Sequence, residues 1–537
     1  MAEEKIKLPP DPTRMIEGLR DTGYQFNTSI ADLVDNSIAA NATKVEIHAA
    51  MDYRGTVSVT VADNGIGMDR DKLIKGMTYG SPRRPDPASL GKFGLGLKTA
   101  STAFCRRLSV ITRSSGAAPV LKATWDLDHV AKVQEWELLF SDASPQEIEI
   151  LEKTAGASSG TIVIWDKVDR LLKSYSDPGG VHARNALERL CSDLQDHLGL
   201  VYQRFLDASD KRSKRKIDIS VQGKRTLPWD PFVTKYADLV AEEDLPVELD
   251  GEDGSKRKSN FKIRAYVLPR REEFPDLAAA ERARVGNTLQ GIYIYRENRL
   301  IHGPDWLGLF SKEPHGSLLR VEFSFDHTLD EAFHIDIKKS QILLNEDLFL
   351  WLDEFLKPAR RAANDRYRQG QQRRAKAAAS GAHTSSNVNI QSKEASLDTA
   401  KIDIVNEAKG EVLIHNKSGE VRLKINLAKA VKPGECFVQS VDQLDDGLMW
   451  QPALIEMHKA VQINTSHPYY RKVYVPNLKS GVTVQGMDSL LWALCAAEFG
   501  TVNELTKNYF LEMRFEVSKL LRRLVEDLPD PDEDLGE

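Results

Sequence analysis

Three short stretches, in order along the chain, carry residue types that chemistry can use. In ADLVDNSIAANA, Ala31–Ala42, Asp32 and Asn36 stand four residues apart, on one face of a predicted helix. A carboxylate and an amide one turn apart can hold a water and a metal ion together. The same spacing also suits a plain polar helix face. In VADNGIGMD, Val61–Asp69, Asp63 ends a β-rich run, and Gly65 and Gly67 allow close backbone approach and φ > 0 turns. An ionised carboxylate only accepts hydrogen bonds, so one at a strand end can read an exocyclic amine such as that of adenine. A plain glycine turn is the simpler reading. In GKFGLGLKTAS, Gly91–Ser101, glycines precede a helical run with Lys98 and Thr99. Bare N–H groups at a helix N-terminus attract anions. This is not the G-x-x-x-x-G-K-[ST] phosphate loop. Nor is it a dinucleotide fingerprint, because the preceding Thr78–Leu90 is strand-poor.

Taken together, in this order and spacing, the three motifs resemble the GHKL superfamily of ATPases. Its members include gyrase-type topoisomerases, the ninety-kilodalton heat-shock chaperones, sensor histidine kinases and the MutL mismatch-repair proteins. The resemblance implies a Bergerat α/β sandwich that binds ATP with Mg²⁺. Asn36 would ligate Mg²⁺, and Asp32 stands where hydrolytic members carry the general base. Asp63 would bind the adenine amino group, directly and through water, with Gly65, Gly67 and Met68 lining the base pocket. Thr78–Leu90 would be the ATP lid. Gly91, Gly94 and Gly96, with Leu95 and Leu97 between and after them, would meet the phosphates, with Lys98 beside them. Thr161, in SSGTIVIW, matches the Gly-Thr motif on the adenine side. One departure matters: the hydrolytic members carry glutamate where this chain has Asp32. Aspartate is shorter by about 1.5 Å, and a base must come within about 2.6–3.2 Å of its water. The expectation is slow hydrolysis suited to a switch, with a binding-only pocket as the alternative.

The resemblance covers about residues 12–350. No phospho-accepting hairpin precedes the ATP region, which sets histidine kinases aside. Gyrase, MutL and microrchidia relatives place an α+β transducer, resembling a ribosomal-protein fold, after the ATPase. FHIDIKKSQI, Phe333–Ile342, resembles the transducer segment whose lysine reaches the γ-phosphate, with Lys339 as the candidate and Lys338 as alternate. GIYIYRENRLI, Gly291–Ile301, resembles transducer strands of the microrchidia and MutL group, and Met77–Lys98 has microrchidia-like spacing. By analogy the chain is a nucleotide-gated homodimeric clamp engaging DNA, in prokaryotic genome defence or maintenance. A chaperone-like ATPase acting on a protein partner, or a non-hydrolysing regulator, is the alternative.

The elements that must position these residues fall into five stretches. The overall class is α+β. Residues 1–204 form the ATP-binding domain, with helices at Asn27–Ala40 and Leu187–Leu200 and strands at Thr43–Met51, Thr56–Ala62, Leu108–Thr112, Val120–Asp126 and Thr161–Trp165. The transducer-like domain, 205–350, has strands at Ile217–Val221, Phe261–Val267 and Gly291–Tyr295. Stretch 351–396 is a helix that turns basic, then a small, polar linker from 379. Residues 397–525 form a mixed C-terminal domain, open to a protein partner, with a helical end at Met487–Glu526. The acidic tail is 526–537.

Composition sets outer bounds. In 537 residues, 41% are hydrophobic and 28% charged, the balance of a globular protein. Four cysteines are too few for a disulfide framework and point to a reducing, cytoplasmic compartment. No run approaches the roughly 20 apolar residues of a membrane span. The net charge of −6, taken alone, disfavours nucleic acid, but it averages an acidic tail with basic clusters. Residues 357–376 hold eight Lys or Arg and one acid, and Arg360, Arg361, Arg366, Arg368, Arg373, Arg374 and Lys376 could face phosphates with Tyr367 stacking. A solvated helix is the plainer reading. Lys211–Lys216 is a second basic cluster. Tyr469 and Tyr470 are expected in a packed structural motif, and histidine spacing gives no zinc site.

Overall fold

The computed structural model describes residues 11–21, 23–80, 86–90, 96–172, 175–250, 256–330, 346–379, 381–397, 400–416, 419–431, 434–478 and 480–528. It divides into two compact units, Met1–Asn364 and Asp365–Glu537.

The first unit opens with α1 (Pro12–Arg20), α2 (Phe26–Ala39), β1 (Lys44–Met51), β2 (Val57–Asp63), α3 (Arg70–Met77), α4 (Gly96–Thr102), β3 (Cys105–Arg113) and β4 (Leu121–Asp126). It continues with α5 (Leu127–Val133), β5 (Leu139–Ser141), α6 (Pro145–Ala155), β6 (Gly160–Val168), α7 (Val181–Val201), α8 (Gln203–Leu206), β7 (Asp218–Val221) and β8 (Lys224–Arg225). The eight strands make one sheet in the order β5-β4-β3-β6-β2-β1-β7-β8. Strand side chains alternate between faces, and both faces are covered. Val57, Val59, Val61, Leu108, Val110, Val163 and Trp165 join the larger core with α2 and α7. Ala62, Ile111, Ile162 and Ile164 join a smaller one with Leu151 and Ala155 of α6. The buried residues of α7, namely Ala183, Leu187, Cys191, Leu194, Leu198 and Val201, recur at three- and four-residue steps, so one stripe lies on the sheet. Trp165, fully buried, stacks on Phe104 at 5.8 Å.

The sheet does not stop where the sequence places the domain end, at 204. β7 pairs in parallel with β1, Lys44 opposite Asp218 through Ile47 opposite Val221. Residues 218–225 therefore belong to the first sheet, and the expectation that Ile217–Val221 begins the second is corrected. A short apolar strand carries no mark of which sheet it will join.

A second sheet follows from β9 (Asp238–Asp250), β10 (Lys256–Val267), α9 (Leu277–Ala283), β11 (Gly291–Arg296), β12 (Arg299–Asp305) and β13 (Leu319–Phe325), in the order β12-β11-β13-β10-β9. The helix α10 (Glu346–Ala379) comes next, and the division between the units falls inside it.

The second unit holds α11 (Thr384–Gln391), α12 (Glu394–Leu397), β14 (Lys401–Asn406), β15 (Glu411–Asn416) and β16 (Gly419–Lys424), which form a three-stranded sheet. β17 (Asn426–Ala428), β18 (Val438–Val441), β19 (Trp450–Ile455) and β20 (His458–Asn464) form a four-stranded one, followed by α13 (Gly481–Phe499) and α14 (Glu504–Leu524). One expectation is corrected here. The linker expected from 379 contains α11, whose polar residues turn inward. Asn387 Oδ1 accepts from the amides of Phe437 and Val438 at 2.8 and 3.0 Å, and its Nδ2 donates to Val438 O at 2.9 Å. Composition cannot distinguish polar side chains that are solvated from those with internal partners. The helical end consists of two helices, α13 and α14, the second started by Asn503, whose Oδ1 caps the amides of Leu505 and Thr506. Tyr470 is buried and stacks on Tyr474 at 4.9 Å, in keeping with a packed motif.

His383, Ser386 and Asp488 form the polar centre of this unit. Asp488, fully buried, pairs with His383 Nδ1 at 2.7 Å and accepts from Ser386 Oγ at 2.5 Å. Removing one member strands the others in a dry interior. We expect Asp488→Ala to destabilise the second unit by about 3 kcal/mol or more. Hydrogen exchange by mass spectrometry should show α11 and α13 losing protection, and unchanged protection would contradict the assignment.

Candidate active site

The pleat of the first sheet aligns three residues at one end. Asp63 continues the series Val57, Val59, Val61; Thr161 begins the series with Val163 and Trp165; Thr112 ends the one with Leu108 and Val110. All three therefore face the side of α2. Asp63 pairs in register with Thr161, and Thr161 with Thr112. The hydroxyls of Thr112 and Thr161 are 3.1 Å apart, and Thr112 Oγ1 accepts from Met68 N at 2.9 Å.

Asp63 is 6% exposed. Its Oδ2 accepts from Ser37 Oγ at 2.8 Å and its Oδ1 from Gly65 N at 2.8 Å. Burial pushes its carboxyl up to about 6, against the opposing pull of the Gly65, Ser37 and Thr161 donors. The loop beyond is seated on the end of α2, where Ile66 N donates to Ala40 O at 2.9 Å. Gly67 sits at φ +58, and a Cβ there would lie 2.0 Å from Arg113 O, so only glycine fits.

Asp32, Asp35 and Asn36 come from α2, which is buried along most of its length. Asp32 is 6% exposed, and Tyr24 OH donates to its Oδ2 at 3.2 Å. The start of α4 closes over it. A Cβ on Gly96 would come 3.3 Å from Asp32 Oδ2, so glycine lets the helix approach. Asn36 is half-buried. Asp35 is held by Tyr202, whose OH donates to its Oδ1 at 2.7 Å, and by Arg299 Nε at 2.9 Å.

Sequence reasoning singled out Asp32, Asn36, Asp63, Gly65, Gly67, Met68, Gly96, Leu97, Lys98 and Thr161, and these lie along α2, the Asp63 loop, α4 and β6. Lys98 is 1% exposed, and its Nζ donates to Gly76 O at 2.9 Å, at the carbonyl end of α3. Gly91, Gly94, Leu95 and Lys339 lie outside the described residues, as do 81–85 of the expected lid. The sequence reading missed Tyr24, Ser37, Thr112, Tyr202 and Arg299. Ser37 was open to discovery, since it adjoins Asn36 on the same helix. The others are distant partners with no local signal.

The basic clusters are less free than their composition implies. Arg212 pairs with Asp210 at 2.6 Å and with Glu322 at 3.2 Å, and Lys216 Nζ donates to Arg204 O and Asp210 O. Arg212 therefore ties the loop before β7 to β13 of the second sheet. In the second cluster Arg361 and Arg368 are exposed. Lys357 pairs with Asp353 and Glu354, and Arg360 lies 3.6 Å over the Phe310 ring. Tyr367 is buried and does not offer a stacking face.

Residues 24–161 match the family model described as histidine kinase-, DNA gyrase B-, and HSP90-like ATPase. Over these residues the chain is thus similar to the GHKL ATPases, the resemblance its motifs carry. Its curated relatives are microrchidia ATPases. The mouse (Mus musculus) ATPase MORC2B is 30% identical over 97 residues, 17% of this chain and 10% of that protein. The human (Homo sapiens) ATPase MORC2 is 32% identical over 89 residues, 16% of this chain and 9% of that protein. The match thus spans about a tenth of the length of these relatives. A solved N-terminal domain of a DNA repair protein overlays 67% of this chain and 99% of that one, at TM-score 0.36 and 17% identity. Among the described residues no helix is long and apolar enough to cross a membrane.

The raised carboxyl of Asp63 has a consequence for stability. Between its ordinary value of 3.8 and about 6 the folded state holds more proton than the unfolded one. Stability from this group is therefore present at low pH and lost as pH rises through that window. Relative to Asp63→Asn, the parent should gain about 1 kcal/mol between about pH 7.5 and about pH 5. Urea denaturation at the two values checks this, and parallel profiles would contradict it.

Proposed function

We propose that the protein binds ATP with Mg²⁺, hydrolyses it slowly, and acts as a nucleotide-gated dimeric clamp on DNA. The observation that carries this is the buried Asp63. Its hydrogen-bonding donors are a hydroxyl and backbone amides, so a carboxylate that is costly to bury is kept as an acceptor at a sheet end. An adenine amine is the donor that such a group suits. Thr161 and Met68 flank the same place, and Gly96 and Leu97 begin the helix beside Asp32. Gly91, Gly94 and Leu95 are assigned to the phosphates by resemblance, as is Lys339 to the terminal one.

The donor set also fits the ion. Among the described residues no group of three acidic, His or Cys side chains could hold a metal. Asn36, half-buried one turn from Asp32, would offer its amide oxygen to the ion, with phosphate oxygens and water completing the shell, since Mg²⁺ takes oxygen ligands and keeps several waters. When bound, the ion would neutralise phosphate charge. Asp32 would take the proton of the attacking water, with Tyr24 orienting its carboxylate. Its shorter reach favours slow turnover, and a binding-only pocket is the second reading.

DNA engagement draws support from the exposed Arg361 and Arg368, and otherwise rests on the resemblance. A homodimer formed through the ATP domains rests on analogy with the family, and 397–525 is left open to a protein partner.

Three measurements test the proposal. Asp63→Asn should lower ATP affinity at least about a hundredfold in calorimetry, since a buried acceptor is replaced by a donor facing the amine. Single-turnover hydrolysis should fall at least about tenfold in Asp32→Asn, and equal rates would leave only the binding reading. DNA affinity should fall steeply with salt, and Arg361→Ala should reduce the log–log slope by about 1. A flat slope would remove DNA as the partner.

A further inference from the structure

The β11–β12 hairpin of the second sheet reaches α2. Arg296 ends β11 and Arg299 begins β12, and the two are cross-strand partners. The turn between them, Glu297 and Asn298, has φ of 49 and 70, the left-handed pair of a tight two-residue loop. Two like charges are thus fixed side by side, and each is matched by a carboxylate. Arg296 clasps Asp330 at 2.6 and 2.8 Å, and donates to Pro87 O at 3.0 Å and Ser89 O at 3.2 Å. Arg299 Nε donates to Asp35 Oδ1 at 2.9 Å, and its Nη2 is 4.0 Å from Asp32 Oδ1. Arg299, Asp35 and Asp32 are 4%, 1% and 6% exposed, so water screens these charges little. Tyr202 OH lies 2.6 Å from Ala31 O and 2.7 Å from Asp35 Oδ1, its one proton shared between the two acceptors, which ties Asp35 to the backbone beside Asp32.

We propose that Arg299 is a positioning residue for ATP hydrolysis. It orients Asp32, through Asp35 and through its own charge, so turnover follows the seating of the β11–β12 hairpin while ATP affinity does not. This rests on the reading of Asp32 as the base. Asp32 and Asp35 lie three apart on α2, so a forked cation can serve both, and a lysine point charge cannot reproduce the fork. The adenine side has its own anchors in Ser37, Gly65 and Thr161, none of which bonds Arg299 in the contacts above. A base displaced by about 1 Å loses on the order of a hundredfold in rate.

The competing account is a buried ion pair that only fastens the two sheets. A pair of substitutions separates them in the full chain. Arg299→Met alone leaves Asp35 buried without its cation and should lower stability. Adding Asp35→Asn removes the stranded charge and should recover it. Under the proposal the double variant regains stability, binds ATP within about threefold of the parent, and hydrolyses it at least about tenfold more slowly in single turnover. If the rate returns with stability, the role is structural and the proposal is overturned. Arg299→Lys keeps the charge and loses the fork. It serves if the others fail to fold, with lowered rate and retained affinity expected and a parental rate overturning the proposal. An unchanged rate in Asp32→Asn is a separate outcome: it removes the base itself, and this proposal with it.

Discussion

A carboxylate buried at the end of a strand constrains much of the first unit. Asp63 is tolerated there because three features meet: the hydroxyl of Ser37 from α2, the Gly65 amide from the loop, and the Thr161 strand alongside. Each depends on register. A slip of one residue in β2 would turn Asp63 to the face of α6 and bring Ala62 to that of α2. The apolar series on the two faces hold that register, since Val57, Val59 and Val61 fit one core and Ala62 the other. The chemical group is thus placed by packing it takes no part in.

Helix α2 is the second hinge of the arrangement. It carries Ser37 toward Asp63, Asn36 and Asp32 toward the proposed phosphate end, and Asp35 toward Tyr202 and Arg299. A single stiff helix therefore registers both ends of the site. Asp32, Asp35 and Ser37 are as buried as its apolar residues, so their partners, rather than solvent, decide their orientation.

The site's local grammar was legible in the sequence. Asp32 and Asn36 at one helical turn, Asp63 before two glycines, and Thr161 after a glycine are short-range patterns, and the fold brings their elements together. Most strands in the first region were legible from alternation. What was not legible was partnership across distance. Tyr202 and Asp35 are separated by 167 residues, and Arg299 and Asp35 by 264. Neither residue announces the other. The same blindness explains Lys211–Lys216, where the sequence displays charge but not the Asp210 and Glu322 that neutralise part of it. It also explains α11, where small polar residues imitate a linker until their internal hydrogen bonds are seen.

The parallel pairing of β7 with β1 means that the first domain is completed by chain that lies beyond its own last helix. A fragment ending at 204 would leave the outer edge of β1 unpaired, with Val45 and Ile47, fully buried in the whole protein, beside an open row of backbone donors and acceptors. Such an edge invites pairing with another chain. The segment that leads into the second sheet is thus also the guard rail of the first. Nature could not have acquired, lost or exchanged the second region at this boundary without first providing β1 with another neighbour.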